Sequence, residues 1–258
     1  MAGFRDRGLA PAGHRVVPHP AVTLLLEFGS GTPIVETSAG RQRGSLVAAP
    51  APGAIWVWGE NVECVQVRLS PVVAPAVLGI SAADLDGAVV GLDDLWGRDG
   101  SRICEQLGEV SSWEERLALT DTLLARRCTA RAYVDPEVAW AWQRIVIGRG
   151  LVGVDSLAAE VGWSRKRLWS RFSAQLGLPP KRAAKLVRFD HAAHRLAAGV
   201  DVARVAAESG YADQSHLHRD VMAFTGVTPA NVGSEPWLAV DDIAWAGYPG
   251  PGSTVSSA

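Results

Sequence analysis

Leu157-Ala158-Ala159-Glu160-Val161-Gly162-Trp163 reads almost residue for residue onto Val205-Ala206-Ala207-Glu208-Ser209-Gly210-Tyr211, 48 positions later. Beyond the glycine, Leu168, Phe172, Gly177 and Pro180 align with Leu217, Val221, Gly226 and Pro229 at an offset of 49, so the second turn is one residue longer. Each copy has the pattern helix, glycine turn, helix. The alanines let the first helix pack closely, Gly162 and Gly210 supply the positive φ of a tight turn, and an aromatic residue fills the corner. Asp155 and Asp201 are expected to cap the first helices, Ser164 and Asp213 the second ones.

Helical spacing divides each second helix into two faces. Leu168 and Phe172 are four apart and turn inward, which leaves Lys166, Trp169, Ser170 and Ser173 outside. In the second copy Leu217, Val221 and Phe224 turn inward, exposing Gln214, Ser215, His218, Arg219 and Met222, with His216 near the N-terminal rim. Such side chains offer donors and acceptors suited to base edges in a major groove. Between the copies, Pro179-Pro180 opens a helix running from about Lys181 to Ala198 and closed by Gly199. Its length, roughly 27 Å at ~1.5 Å per residue, suits a strut holding two recognition helices about one DNA turn apart.

Charge points the same way once it is localised. The whole chain carries a net charge of -2, from 25 basic and 27 acidic residues, which by itself argues against a polyanionic partner. Yet from Ser164 to Arg195 there are nine basic groups (Arg165, Lys166, Arg167, Arg171, Lys181, Arg182, Lys185, Arg188 and Arg195) against one acid, Asp190. This window is expected to be the footprint of a polyanion. Lys185, on the connecting helix, is expected to touch phosphate or nothing.

The N-terminal half has a different texture. Short apolar segments at Val22 to Phe28, Pro33 to Glu36, Ser45 to Ala48, Ala54 to Trp58 and Val62 to Leu69 are punctuated by Gly and Pro, which predicts a small antiparallel barrel or sandwich. Trp56-Val57-Trp58 breaks strict alternation, as a strand buried on both faces does. Helical spacing follows at Pro71 to Leu78, Ser101 to Leu107, Ser112 to Arg127 and Pro136 to Ile147; Ser112 with Glu115 forms a capping box, and Asp135-Pro136 reads as N-cap and N1. The expected class is therefore α+β. The expected division is residues 1–132 as a β-rich sensory or dimerisation domain with flanking helices, 133–237 as a double helix-turn-helix, and 238–258 as an extension whose end is disordered.

With 48% apolar residues the chain can bury a sizeable core, and no uncharged apolar run reaches the eighteen or so residues of a bilayer span. The first residues hold no export signal, so a cytoplasmic location is expected. Cys64, Cys104 and Cys128 fit neither a disulfide framework nor a zinc spacing and read as small buried hydrophobes. A metal triad of His14, His19 and Glu27 has the wrong spacing for a cupin site, and histidines flanking Pro18 read as loop residues. No catalytic constellation, metal or cofactor is expected.

The text from Asp155 to Val232, especially Gly210-Tyr211-Ala212-Asp213-Gln214-Ser215-His216-Leu217-His218-Arg219 with Gly226-Val227-Thr228-Pro229, resembles the double helix-turn-helix of AraC-type (AraC/XylS) bacterial transcription regulators. The resemblance implies that Arg165, Lys166, Trp169 and Ser170, and Gln214, Ser215, His216, His218 and Arg219, face double-stranded DNA. Asp220, Val221 and Met222 depart from the family's usual small residue, Phe and basic residue. The N-terminal half is similar, more faintly, to the cupin-like sensory domains that precede such modules, through Leu78-Gly79-Ile80-Ser81-Ala82-Ala83-Asp84-Leu85. That likeness implies a small-molecule effector, a homodimer partner or both, with RNA polymerase as a further partner. Trp56 and Trp58 are candidate effector contacts or, equally, core. The alternative is a ligand sensor or protein-interaction module with a degenerate helix-turn-helix.

Overall fold

The computed structural model describes residues 1–5, 14–16, 18–37, 40–50, 55–85, 87–128 and 134–232. The boundary near Tyr133 and the extension 238–258 lie outside the described residues. Among the described residues, nine strands form two antiparallel sheets. One holds β1 (Ala2–Arg5), β3 (Val22–Glu27), β6 (Leu46–Ala48), β8 (Glu63–Leu69) and β9 (Val89–Gly91) in the order β1-β8-β3-β6-β9, and the other holds β2 (His14–Val16), β4 (Ile34–Thr37), β5 (Gly40–Arg43) and β7 (Ile55–Trp58) in the order β2-β7-β4-β5.

Strand parity explains the layering. Val22, Leu24 and Leu26 project from β3 with Val65 and Val67 of β8 into a core completed by helices α1 (Ala74–Leu78), α2 (Leu92–Trp96), α3 (Arg98–Glu109) and α4 (Trp113–Arg127). The odd neighbour Leu25 points the other way, toward Val35, Leu46, Ile55 and Val57 between the sheets. The larger sheet is thus covered on both faces, which is why its strands read as apolar runs. β7 is covered on one: Ile55 and Val57 turn inward, while Trp56 is exposed and Trp58 half-buried. The expectation of a two-sided strand there is corrected, because the aromatics sit on the open face.

The helical module comprises α5 (Pro136–Ile147), α6 (Val154–Glu160), α7 (Arg165–Leu176), α8 (Pro180–Ala197), α9 (Val202–Glu208), α10 (Gln214–Thr225) and α11 (Pro229–Val232). It contains two separate cores that share α8. Ala183, Ala184 and Val187 pack with Trp142, Leu157, Leu168 and Phe172 on one side. Leu186, Phe189, Ala193 and Leu196 pack with Val205, Leu217, Val221 and Phe224 on the other.

Of the four caps expected in the two helix-turn-helix copies, three form and one does not. Ser164 accepts from the Arg167 amide at 3.2 Å, Asp201 from Arg204 at 3.1 Å and Asp213 from His216 at 2.7 Å. Asp155 is no cap, since α6 begins at Val154 after Gly153 and leaves Asp155 in the first turn. Asp135 holds the N-cap position of α5, but its carboxylate makes no cap bond and receives Arg171 instead. Burial also divides the thiols: Cys64 is buried, Cys104 half-buried and Cys128 exposed, so the reading of all three as core residues fails for Cys128.

The β-domain grips the module at several points. Ser81 Oγ donates to the carbonyls of Ala174 and Gln175 at the end of α7, at 3.4 and 3.2 Å. Next to them Gly177 has φ +75°, and a Cβ there would lie 2.6 Å from the Ala82 carbonyl oxygen, so glycine serves both the helix stop and the close approach. His19 Nδ1 lies 3.1 Å from Asp190 of α8, and Val72 packs on the first core. Ala174 and Gln175 lie on α7, Gly177 caps it, and Asp190 lies on α8.

Candidate nucleic-acid interface

The two second helices, α7 and α10, present the same face. Arg165, Lys166, Trp169 and Ser170 are exposed on α7, and Gln214, Ser215, His218 and Arg219 on α10. The offset of 49 between the helices places these eight residues at equivalent positions, pair by pair. Spacings of one, three and four residues put each quartet on one side of its helix. Trp169 is 55% exposed, a large apolar surface that the first core does not use.

His216 stands apart from the other predicted residues. It is half-buried with its ring edge-on to Tyr211, centroids 5.1 Å apart. Its counterpart on α7 is Arg167, whose guanidinium lies 4.4 Å from the ring centre of Trp163, the corner aromatic of the first copy. Both residues brace a turn. The sequence hid this role because the bracing pairs differ chemically between the copies.

The electrostatics are more balanced than the sequence window suggested. Arg165 pairs with Asp155 at 2.8 Å, and Arg171 makes a two-pronged contact to Asp135 at 2.7 and 2.9 Å. Lys185 and Arg188 both reach Asp220, at 3.1 and 3.5 Å, and Arg195 pairs with Glu208. The Arg171 guanidinium holds the Asp135 carboxyl below its usual range, and Arg204 with Arg195 does the same for Glu208. The partners come from outside the window, so a count along the chain could not see them. Among the described residues, Lys166, Arg167, Lys181 and Arg182 have no such carboxylate partner, and all four are exposed.

Asp220 is explained by the same geometry. It is 4% exposed and faces α8, so it occupies the inward side of α10 with Val221, away from the exposed quartet. Its charge also helps hold the Tyr211 hydroxyl, already raised by burial, at about 12. Lys185 therefore has a structural partner in Asp220 while its side chain stays half-exposed.

Trp56 and Trp58 stack on the open face of β7, with centroids 6.0 Å apart and ring planes 19° from parallel. Arg41 lies 6.0 Å from the Trp58 ring centre. Among the described residues no cluster of His, Cys, Asp and Glu could hold a metal ion, and no helix is long and apolar enough to cross a membrane.

Comparison with known proteins agrees with this geometry. Residues 157–234 match a family of helix-turn-helix domains. No curated protein matches the chain. An apo lysine-to-alanine variant of ToxT from Vibrio cholerae strain SCE256 shares 10% identity and superposes with a TM-score of 0.52, over 91% of this chain and 96% of that one. ToxT from Vibrio cholerae O395 bound to (E)-4-(8-methylnaphthalen-1-yl)but-3-enoic acid gives 11% identity and a TM-score of 0.50, over 92% and 97%. The C-terminal domain of AraT, a response regulator from Geobacillus stearothermophilus, aligns at 21% identity with 39% of this chain and 86% of that one, at a TM-score of 0.37. The likeness to ToxT is one of fold: antiparallel sheets with helices, followed by a helical module.

Proposed function

From a chain whose residues 157–234 form a helix-turn-helix domain of the AraC type, we propose a sequence-specific transcription regulator that places α7 and α10 in successive major grooves of double-stranded DNA. The observation that carries the reading is the pair of equivalent exposed quartets, each on a capped helix and each mounted on one face of α8. Eighteen residues of α8 span roughly 27 Å, close to one turn of B-DNA. Arg165, Lys166, Trp169 and Ser170 read one groove, and Gln214, Ser215, His218 and Arg219 the next. His216 contributes by supporting the turn that aims its helix. Lys181 and Arg182, at the start of α8, supply phosphate contacts.

The unit that binds DNA is residues 133–237, and the β-domain, residues 1–132, modulates it. The grip of the β-domain on α7 and α8 supports that coupling, because a change in the joint reaches a recognition helix directly. A small-molecule effector, a second copy of the chain and RNA polymerase are the further partners of this reading. ToxT bound to a small organic acid shows that a protein of this fold takes such a ligand. The function is one of binding, with no catalytic residue assigned.

Selection of bound sequences from a random DNA pool tests the proposal. It requires an enriched motif with two elements about one helical turn apart. The alternative, a sensor with a degenerate helix-turn-helix, draws on the internal pairing of Arg165, Arg171, Lys185, Arg188 and Arg195; it requires that no sequence be enriched.

A further inference from the structure

Among the described residues, α7 and α10 expose two large apolar side chains: Trp169, within the first quartet, and Met222, one turn beyond the second. Met222 is 39% exposed and lies outside the second core. It stands three, four and seven residues after Arg219, His218 and Ser215, so it lengthens the stripe that those residues form. Its backbone is held at the helix stop, where its carbonyl accepts the Gly226 amide at 2.9 Å. Arg219 leaves it uncovered, because that side chain turns back to donate from Nε to the Ser215 carbonyl at 3.3 Å. We propose that Met222 reads the C5-methyl group of a thymine at one edge of the site that α10 occupies. The inference rests on the reading that α10 enters a major groove, and it adds one apolar contact to the polar ones of the quartet.

Elimination identifies the chemistry. A thioether has no proton to donate and a phosphate oxygen only accepts, so Met222 cannot hold the DNA backbone as Lys181 or Arg182 can. Base edges in the major groove offer amino donors, ring-nitrogen and carbonyl acceptors, and one methyl group, that of thymine. Of these, only the methyl gains from being covered by an apolar side chain. An unbranched, polarizable chain adapts well to such a contact. Eight residues separate Gln214 from Met222, about 12 Å of helix, so the thymine falls within about four base pairs of the base that Gln214 reads.

Deoxyuridine in place of thymidine removes this methyl and leaves every hydrogen-bonding group of the base pair in place. The probe is a duplex carrying the sequence enriched from the random pool, with uridine substituted for one thymine at a time in the element whose preference shifts in Gln214→Ala. The full chain should bind one of these duplexes roughly fourfold more weakly, the worth of one buried methyl-sized group. Met222→Ala should bind the unsubstituted duplex more weakly by a similar factor, should be indifferent to that uridine, and should keep the parent's salt dependence. An element without thymine, an element in which no uridine weakens binding, or a loss in Met222→Ala that is equal on the thymine and uridine duplexes overturns the proposal and leaves the two-groove reading standing. A pool that enriches no sequence strikes that reading, and this inference with it.

Discussion

The Lys185 ammonium lies 3.1 Å from the Asp220 carboxylate, tying the connecting helix to the inner face of the second recognition helix. Arg188 approaches the same carboxylate from the next turn and also covers the Tyr211 ring at 4.6 Å. Asp220→Ala leaves Arg188 largely buried with no counter-charge and should destabilise the module by about 3 kcal/mol, whereas Lys185→Ala removes a half-exposed partner and should cost about 1 kcal/mol. Urea unfolding followed by circular dichroism measures both. Equal, negligible losses would show the pair to be ornamental.

Base reading and phosphate contact should separate by position. Gln214→Ala and Lys166→Ala should each cost roughly 1 to 3 kcal/mol at one operator position and relax preference there, at sites about one helical turn apart. Lys181→Ala should weaken all sequences alike and lower the salt dependence. Binding profiles over a randomised operator give the comparison; profiles for Gln214→Ala and Lys166→Ala that match the parent in strength and preference would rule out reading by these helices.

Burial, with Arg149 and Arg195 nearby, pushes the His191 imidazole down to about 4. The folded chain therefore binds fewer protons at this site than the unfolded chain, whose histidine titrates near 6.5. The contribution of this group to stability is fully present above about pH 6.5 and is lost as pH falls from there toward 4. His191→Gln should flatten that part of a Tm-versus-pH curve. An unchanged slope would place the proton uptake elsewhere.

Gly162 and Gly177 allow a controlled test of the domain joint. Both have positive φ, but a Cβ on Gly162 meets open space, while one on Gly177 strikes the Ala82 backbone. Gly162→Ala should cost only the backbone conformation, about 1 to 2 kcal/mol. Gly177→Ala should cost more and should also expose the joint to limited proteolysis. Equal losses without new cleavage would mean that the contact with the β-domain yields easily.

Much of this molecule could be read along the chain. The bounds of α5 follow from Asp135-Pro136 and Gly148, and the repeat gives both recognition helices with their caps, because all of these depend on residues a few positions apart. β5 escaped notice since Gly40-Arg41-Gln42-Arg43 has no apolar residue; it forms by pairing to β4. His19 lies in a loop, as its place beside Pro18 suggests, but nothing near it in sequence announces Asp190, 171 positions away. The carboxylates that pair with part of the charge window were hidden for the same reason, since they lie outside it. Of the candidate site, the exposed quartets were legible from periodicity, while the bracing role of His216 required seeing Tyr211 against it.

The sharing of α8 between two cores constrains how such a protein can diversify. A residue inserted midway along it would turn everything downstream by about 100° and break the packing of at least one side. The residues of each exposed quartet, by contrast, touch neither core and can be exchanged freely. Descendants of this chain can thus change the letters that each unit reads, but the interval between the words is inherited whole.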